Sequence, residues 1–265
     1  MLFRSADARF DLAGRLAGGE AVAFTDIVPR VSLSDGDIDT YLRMLVYTID
    51  FRSQHTVTHT ITTTRISDAV ARLMGMGPEE VLHIHYGAML HDLGKIGIPV
   101  EILEYPGRLS PQAMAVMRTH VTITGEILGG AVDSVTTQIA LRHHEKLDGS
   151  GYPAGLCGAE LTLSQRIVVV ADIVSALLGT RSYKDAYPKE KTLSILREQT
   201  ARGLIDPAVV EVIARHFDEI LSEVREHCTP VLQVYRGITA EYGKLLRTCS
   251  ALGTEKRSPS GPQYH

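Results

Sequence analysis

The stretch YGAMLHDLGKIGIP, residues 86–99, places a histidine and an aspartate at the end of an apolar helical segment. Apolar spacing predicts a helix over about 79–95, which Gly97 and Pro99 end. An aspartate without a partner is costly in such apolar surroundings, and Lys95 lies one turn beyond Asp92 on the same helical face. The pattern indicates either a satisfied polar network or a metal site with a charged helper.

Two further apolar helices each carry a single polar residue of the same chemical kind. Asp172 lies in RIVVVADIVSALL, and His120 lies in VMRTHVTITGEIL. On its own, Asp172 has the alternative of pairing with a neighbouring helix or with Arg166, because buried aspartates are almost never left unpaired. On its own, His120 is better interpreted as a satisfied core histidine than as a ligand.

Histidines also occur in two closer groupings. His55 and His59 lie four residues apart, which puts both on one face of a predicted helix. His143 and His144 are adjacent in LRHHEKLDGSGYP and precede a glycine-rich turn. Successive helical side chains diverge by about 100°, so an adjacent pair could serve two different metal ions.

The rest of the chain reads as helices, since no stretch alternates with period two for long. The predicted class is therefore all-α, without an internal repeat. Predicted helices begin at Ser34, cover 56–75 and 79–95, run from Ser110-Pro111 to Leu128, cover 133–145, 164–178 and 188–202, follow the Asp206-Pro207 cap to about 224, and cover 230–247.

Composition excludes several classes of protein. The 265 residues carry a net charge of −4, which leaves no broad basic surface for duplex nucleic acid. The three cysteines form no C-x-x-C motif, so neither a disulfide framework nor a thiolate zinc site is expected. No segment is apolar for long enough to span a bilayer, and the N-terminus lacks a signal-peptide pattern. We therefore expect a cytoplasmic protein that does not bind membranes.

Imidazoles and carboxylates on several helices suggest one shared site. These groups are the ligands of divalent iron, manganese and zinc, and helix bundles build dinuclear sites from one or two inward ligands per helix. Two ions about 3.5–4 Å apart are suited to hydrolysing phosphate esters. The sequence therefore predicts a helical bundle with a metal site in its core.

These motifs, in this order, resemble the HD-GYP domain, a branch of the HD phosphohydrolases. The resemblance covers about residues 38–225 and rests on His59, HDLGKIGIP at 91–99, His120, HHEKLDGSGYP at 143–153 and VADIVSALLGTRSYK at 170–184. It implies an HD-type bundle and a phosphodiesterase in which a bridging hydroxide opens cyclic di-GMP to linear pGpG, or further to GMP. Two alternatives stay open: a catalytically silent module that binds a cyclic dinucleotide or a partner, and a phosphohydrolase acting on another nucleotide.

The resemblance also implies roles for individual residues, with two divalent ions, iron or manganese, as cofactors. Asp92 would bridge the ions, and Lys95 would contact a substrate phosphate or protonate the leaving group. The implied metal ligands are His59, His91, Asp92, His120, His143, His144 and Asp172. The implied substrate-binding residues are Lys95, Gly151, Tyr152, Pro153, Arg181 and Lys184.

Some positions depart from the family pattern. His55 stands where members with a third metal usually carry glutamate, so a third ion is an open possibility. Thr124 and Ser175 replace a frequent glycine and a frequent aspartate. Glu145 is expected either to orient an imidazole or to be exposed. His83, His85, His216 and His227 match no ligand position and are expected on the surface or on helix faces.

The sequence divides into four predicted segments. Residues 1–37 form a linker or a remnant of another module, and residues 38–225 form the catalytic domain. Residues 226–247 form a C-terminal helix. The tail 248–265 is rich in Ser, Gly, Pro and charge, and is expected to be disordered. A homodimer or a signalling partner is possible.

Overall fold

A computed structural model describes residues 35–51, 58–179 and 187–255 of the chain. Within these ranges the elements are helices and no strand forms, which confirms the all-α prediction. None of the described helices combines the length and the apolar composition that a bilayer crossing requires. Three predicted site residues, His55, Arg181 and Lys184, lie outside the described ranges, as does most of the predicted N-terminal segment.

The described residues form a series of α-helices in chain order. Their bounds are α1 Asp35–Asp50, α2 His59–Leu73, α3 Pro78–Leu90, α4 Val100–Leu103, α5 Pro111–Leu128, α6 Ser134–Leu141, α7 Leu163–Leu178, α8 Lys189–Ala201, α9 Pro207–Arg215 and α10 Phe217–Glu255. Two short 3₁₀ helices cover Leu93–Gly97 and Gly158–Glu160.

Helix starts follow the capping signals of the sequence. The Ser110 hydroxyl accepts a hydrogen bond from the backbone N–H of Ala113, and Pro111 occupies the first turn of α5. The Asp206 carboxylate caps α9 in the same way, with Pro207 in its first turn. These caps satisfy amide groups that have no partner inside the helix, so the predicted starts of both helices are confirmed.

Two helix ends come earlier than predicted, and both precede candidate ligands. Helix α3 ends at Leu90 and α6 ends at Leu141, so the predictions of helices over 79–95 and 133–145 were too long at their C-terminal ends. The adjacent pair His143-His144 therefore lies in the turn after α6 and not on a regular helix. The 100° separation expected for consecutive helical side chains does not apply to this pair.

The C-terminal region differs from prediction in a second way. The helix predicted from the Asp206-Pro207 cap to about residue 224 is interrupted at His216, where α9 ends. The apolar face of this segment is nevertheless buried. Helix α10 then continues through Pro230 to Glu255, across the predicted boundary at 225/226 and into the segment expected to be disordered. Proline removes one helical hydrogen bond, but Cys228 and Val231 on either side still pack against the core.

The core consists of two groups of buried side chains that meet at α3. The larger group joins α2 and α7 to the C-terminal helices, and the smaller one joins α1 to the end of α3 and to Leu128 and Val132. Because α3 contributes to both, the residues that follow its end, His91 and Asp92, lie deep in the molecule.

Candidate metal centre and substrate cleft

Five separate segments bring their polar residues to one point in the core. His59 begins α2, His91 and Asp92 follow α3, His120 lies in α5, the His143-His144 pair follows α6, and Asp172 lies in α7. Most of these side chains are almost completely buried, with His91 at 0% and His120 and His143 at 1% relative exposure. All seven ligands that the sequence suggested are brought together.

Asp92 lies at the centre of this cluster, with one carboxylate oxygen turned to each side. Its Oδ2 is 3.0 Å from His91 Nε2 and 3.5 Å from His59 Nε2. Its Oδ1 is 3.5 Å from His120 Nε2 and 3.9 Å from His143 Nε2. One carboxylate therefore faces two separate pairs of imidazoles.

Asp172 approaches the cluster from α7 and also divides its oxygens. Its Oδ1 is 2.9 Å from His59 Nε2 and 3.7 Å from His91 Nε2, whereas Oδ2 is 3.8 Å from His144 Nδ1. Adjacent ligand atoms around a metal ion with bonds near 2.1 Å lie about 3 Å apart. The short separations here match that spacing.

Three of the histidines are oriented by their own helices. The Nδ1–H groups of His91, His120 and His143 each donate to the carbonyl oxygen three residues earlier, at 2.7, 2.6 and 2.7 Å. For His91 and His143 these carbonyls belong to the last turns of α3 and α6, which lack helical partners. This bond places the proton on Nδ1 and leaves the Nε2 lone pair facing the cluster.

Ser175 and Thr124, two of the positions that depart from the family pattern, both contact the site. Ser175 Oγ lies 2.9 Å from His59 Nδ1 and donates to the His59 carbonyl oxygen at 3.0 Å. Thr124 Oγ1 accepts from the Gly94 N–H at 2.8 Å and donates to the His91 carbonyl oxygen at 3.2 Å. Each hydroxyl therefore fastens a segment that carries candidate ligands.

The charges of the buried groups favour cation binding. Burial alone raises the pKa of Asp92, but His91 and Lys95 outweigh it and hold that pKa well below its usual value. Burial also raises the pKa of Asp172, yet the hydrogen bond and charge of His59 lower it overall. Both carboxylates are thus ionised at neutral pH, and Lys95 Nζ donates to Asp92 Oδ2 at 2.5 Å.

Burial has the opposite effect on most of the histidines. It lowers the pKa of His120, lowers that of His143 further, and lowers that of His144 to about 4. A histidine must be neutral to bind a metal, and these three are neutral over the whole physiological range. The pKa of His91 is raised, because Asp92 outweighs the lowering effect of burial.

The donor set fits a divalent metal. His91 Nε2 and Asp92 Oδ1 are buried without a hydrogen-bond partner, although such atoms are normally satisfied. In the described part of the chain, the ligand atoms form three overlapping groups, and the atoms within each group lie within 4.8 Å of one another. The groups are His59, His91 and Asp172; His91, Asp92 and His143; and His120, His143 and His144. Imidazole and carboxylate ligands suit iron, manganese or zinc, so the cluster could hold a divalent metal ion.

The glycine-rich turn supports the histidine pair. A Cβ at Gly151 would come within 2.4 Å of Glu145 Cα, so only glycine allows this approach. The Tyr152 N–H donates to the His144 carbonyl oxygen, and the Tyr152 ring lies 4.6 Å from the imidazole of His144. The Arg118 guanidinium also lies over the Tyr152 ring, 4.7 Å from its centroid.

Glu145 neither orients an imidazole nor lies exposed, so both expectations for it were wrong. It is fully buried, and its two carboxylate oxygens accept from the backbone N–H groups of Ala154 and Leu156 at 2.7 and 3.0 Å. Its role is to hold the turn after Tyr152-Pro153 against the segment that carries the histidine pair. Sequence analysis could not reveal this contact, because a backbone N–H of any residue can donate to a carboxylate and leaves no pattern in the chain.

A cleft of about 510 Å³ opens onto the cluster, within the size range of small-molecule sites. His59, Lys95, His120, His144 and Tyr152 line its polar end. Its remaining wall is largely apolar and includes Ile102, Leu103, Tyr105, Leu109, Met114, Met117, Leu221, Val224 and Cys228. Sequence analysis did not anticipate this wall, whose residues are ordinary members of amphipathic helices and loops.

Comparison with known proteins is consistent with this geometry. A family model described as HD domain matches residues 43–209, more than half of the chain. The chain belongs to the HD domain family. The family model thus spans every candidate ligand from His59 to Asp172, and relatives named as cyclic di-GMP phosphodiesterases bear out the HD-GYP resemblance.

Two curated relatives illustrate the similarity of this HD domain to known proteins. The cyclic di-GMP phosphodiesterase response regulator RpfG of Xanthomonas campestris is 41% identical over 66% of this chain and 47% of its own length. The 3′3′-cGAMP-specific phosphodiesterase 2 of Vibrio cholerae is 37% identical over 67% of this chain and 34% of its own length. The chain thus spans half or less of these relatives.

A solved structure confirms the fold of the HD domain. Bd1817, an HDG"Y"P protein from Bdellovibrio bacteriovorus, superposes with a TM-score of 0.55 at 18% identity, covering 70% of this chain and 65% of that one. At this identity the similarity establishes the architecture and says nothing about substrate.

Histidines outside the cluster have other partners. His83 lies 3.0 Å from Thr136 Oγ1, and His85 Nδ1 lies 2.9 Å from Asp68 Oδ2, so both connect neighbouring helices. His227 donates within its own helix, and His216 is paired with the nearby Glu219. In the described residues, none of these four belongs to a group of three or more side chains that could hold a metal ion.

Proposed function

We propose that this HD domain is a metal-dependent phosphodiesterase that hydrolyses cyclic di-GMP to linear pGpG, with GMP as a further product. One observation carries the proposal: a single ionised carboxylate, Asp92, presents each of its oxygens to a different pair of buried imidazoles. The relatives named as cyclic dinucleotide phosphodiesterases support the choice of substrate class.

We infer that two divalent ions, iron or manganese, occupy the cluster. His59, His91, Asp92 and Asp172 would hold one ion, and Asp92, His120, His143 and His144 would hold the other. Such a pair of ions supplies a hydroxide nucleophile at neutral pH and neutralises charge on the phosphoryl group. The absence of thiolates from the cluster favours iron or manganese over softer metals.

Lys95 is placed to act on the substrate. Its ammonium group lines the cleft beside Asp92 and brings a positive charge to the polar end, where a phosphate would lie. There it would pair with a phosphate oxygen and donate a proton to the departing 3′-oxygen. The Asp92 carboxylate holds this side chain in position.

The apolar wall of the cleft suits nucleobases, whose faces are flat and weakly polar. Tyr105 and Met117 contribute to this wall, and so do Val224 and Cys228 of α10. Because α10 contributes to the wall, we propose that the catalytic unit extends beyond residue 225 to at least Cys228. Tyr152 would close the polar end beneath the substrate.

A second substrate, 3′3′-cGAMP, is the alternative that a specific observation favours, because one of the relatives is named for it. The two dinucleotides share the phosphodiester ring and differ in one base. The metal cluster acts on the shared part, and the apolar wall would determine the preference between bases.

The test is turnover of cyclic dinucleotides by protein loaded anaerobically with manganese or iron. We expect cyclic di-GMP to yield linear pGpG, resolved by chromatography, and Asp92→Asn to abolish turnover and reduce bound metal together. His216→Ala is the matched control, since it removes an exposed histidine outside the cluster and leaves both properties unchanged.

A clear negative result is available. Protein shown by metal analysis to hold two ions, yet leaving cyclic di-GMP, 3′3′-cGAMP and cyclic di-AMP intact, would refute the catalytic proposal. Tight binding of a cyclic dinucleotide under the same conditions would then identify a non-catalytic binding module.

A further inference from the structure

His59 is held differently from the other buried histidines of the cluster. His91, His120 and His143 donate Nδ1–H to a carbonyl three residues earlier in their own segment. His59 is the first residue of α2, so its ring does not follow a turn of its own helix. The contact to its Nδ1 comes instead from Ser175 on α7.

The hydrogen bonds of Ser175 indicate which ring nitrogen of His59 carries the proton. Ser175 has one hydroxyl proton, and it is donated to the His59 carbonyl oxygen at 3.0 Å. With that proton donated, its oxygen, 2.9 Å from Nδ1, is placed to accept, which favours the tautomer that carries a proton on Nδ1 and leaves Nε2 to bind a metal ion. The Nε2 atom then faces Asp172 Oδ1 at 2.9 Å.

Asp172 and Ser175 act on opposite nitrogens of the same ring. They lie one turn apart on α7, and both are buried, at 8% and 3% relative exposure. An ionised carboxylate and an imidazole lone pair at 2.9 Å repel each other unless a proton or a metal ion lies between them. With Nδ1 bound to Ser175, Nε2 and Asp172 form a preorganised pair of ligands.

We propose that Ser175 is a positioning residue for the metal ion on the His59 side of the cluster. It holds the tautomer and the angle of His59 through these two hydrogen bonds. Loss of the Ser175 hydroxyl should therefore weaken the ion on the His59 side more than the ion on the other side. The inference rests on the proposed two-metal site.

The matched pair of variants is Ser175→Ala and Ser67→Ala. Ser67 is also a fully buried serine, but its hydroxyl donates within α2 to the Thr63 carbonyl oxygen and does not touch the cluster. Ser175→Thr keeps a hydroxyl and serves as the rescue. Metal-free protein is titrated anaerobically with Mn²⁺, and free Mn²⁺ is measured by electron paramagnetic resonance.

The wild-type protein should bind two ions. Ser175→Ala should weaken one of them by about 10- to 100-fold, as loss of a hydrogen bond to a ligating imidazole typically does, and leave the other unchanged. Ser175→Thr should restore most of the affinity, and Ser67→Ala should match the wild type at both sites.

A second measurement reports the tautomer without relying on affinity. In Zn²⁺-loaded protein labelled with ¹⁵N at histidine, the His59 ring should show a protonated Nδ1, assigned by comparison with His59→Gln. In Ser175→Ala that Nδ1 proton should exchange faster with water, because its acceptor is lost. An unprotonated His59 Nδ1 in the wild type overturns the proposal.

The affinity results separate failure of this inference from failure of the proposed function. If the wild type binds no ion, the two-metal site itself is wrong. If the wild type binds two ions and Ser175→Ala binds both equally well, the site stands and the positioning role is refuted. Equal weakening by Ser67→Ala also refutes it, since the effect would then come from the helix packing.

Discussion

Replacing Gly94 by alanine should separate two halves of the candidate metal site. Gly94 lies two residues after Asp92, and a Cβ at this position would come within 1.9 Å of the His120 carbonyl oxygen and 2.6 Å of the Thr124 amide nitrogen. Both neighbours are backbone atoms of α5, so no side-chain rotation relieves the clash. The segment carrying Asp92 and the helix carrying His120 must move apart.

The size of this movement follows from the same distances. A separation of 1.9 Å must increase by about 1 Å before any real Cβ contact is possible, and such overpacking costs about 1–3 kcal/mol. For a domain of this size that lowers Tm by roughly 2–12 °C. Metal ligands tolerate displacements of only about 0.2 Å, so the ion shared by Asp92 and His120 should be lost.

The assay combines thermal denaturation with metal analysis of the same preparations. Gly94→Ala should melt earlier and retain fewer ions per chain. Gly237→Ala is the control, because its added Cβ meets nothing within 4 Å and an alanine in α10 should slightly favour the helix. Wild-type metal content and Tm in Gly94→Ala would refute the close approach between these segments and its role in the site.

Two further perturbations test the surroundings of the histidine pair. Glu145→Gln leaves one acceptor oxygen for two backbone amides, so unfolding in urea should require about 1.5–3 kcal/mol less free energy; an unchanged midpoint contradicts the anchoring role. Metal-free protein should lose stability as pH falls from about 6.5 towards 4, because the native pKa of His144 is about 4 and the unfolded chain binds the proton first. Above pH 7 this dependence should vanish, and His144→Gln should reduce it; a flat profile in the wild type contradicts the lowered pKa.

Local sequence patterns were sufficient for the fold class and for nominating the ligands. Helical periodicity and caps such as Ser110 and Asp206 act within a few residues, so they can be read from the chain alone. A histidine or aspartate among apolar residues is costly to bury without a partner. That cost made His120 and Asp172 candidates before any contact was known.

Pairings across the molecule could not be read from the sequence. Which oxygen of Asp92 faces which imidazole depends on how α2, α5 and the end of α6 pack against α3. The same holds for Glu145, whose partners are backbone amides. It also holds for Ser175, whose hydroxyl contacts the ring of His59, 116 residues away in the chain.

The sequence by itself determined that this protein is a helical bundle and which side chains have the chemistry to bind a metal. Only the tertiary structure decided where the helices end, so that His91 and His143 follow the last turns of α3 and α6 and face the cluster. It also decided which polar groups orient the ligands. The physical reason is range: periodicity and capping are properties of neighbouring residues, whereas ligand geometry is set by contacts between segments far apart in the chain.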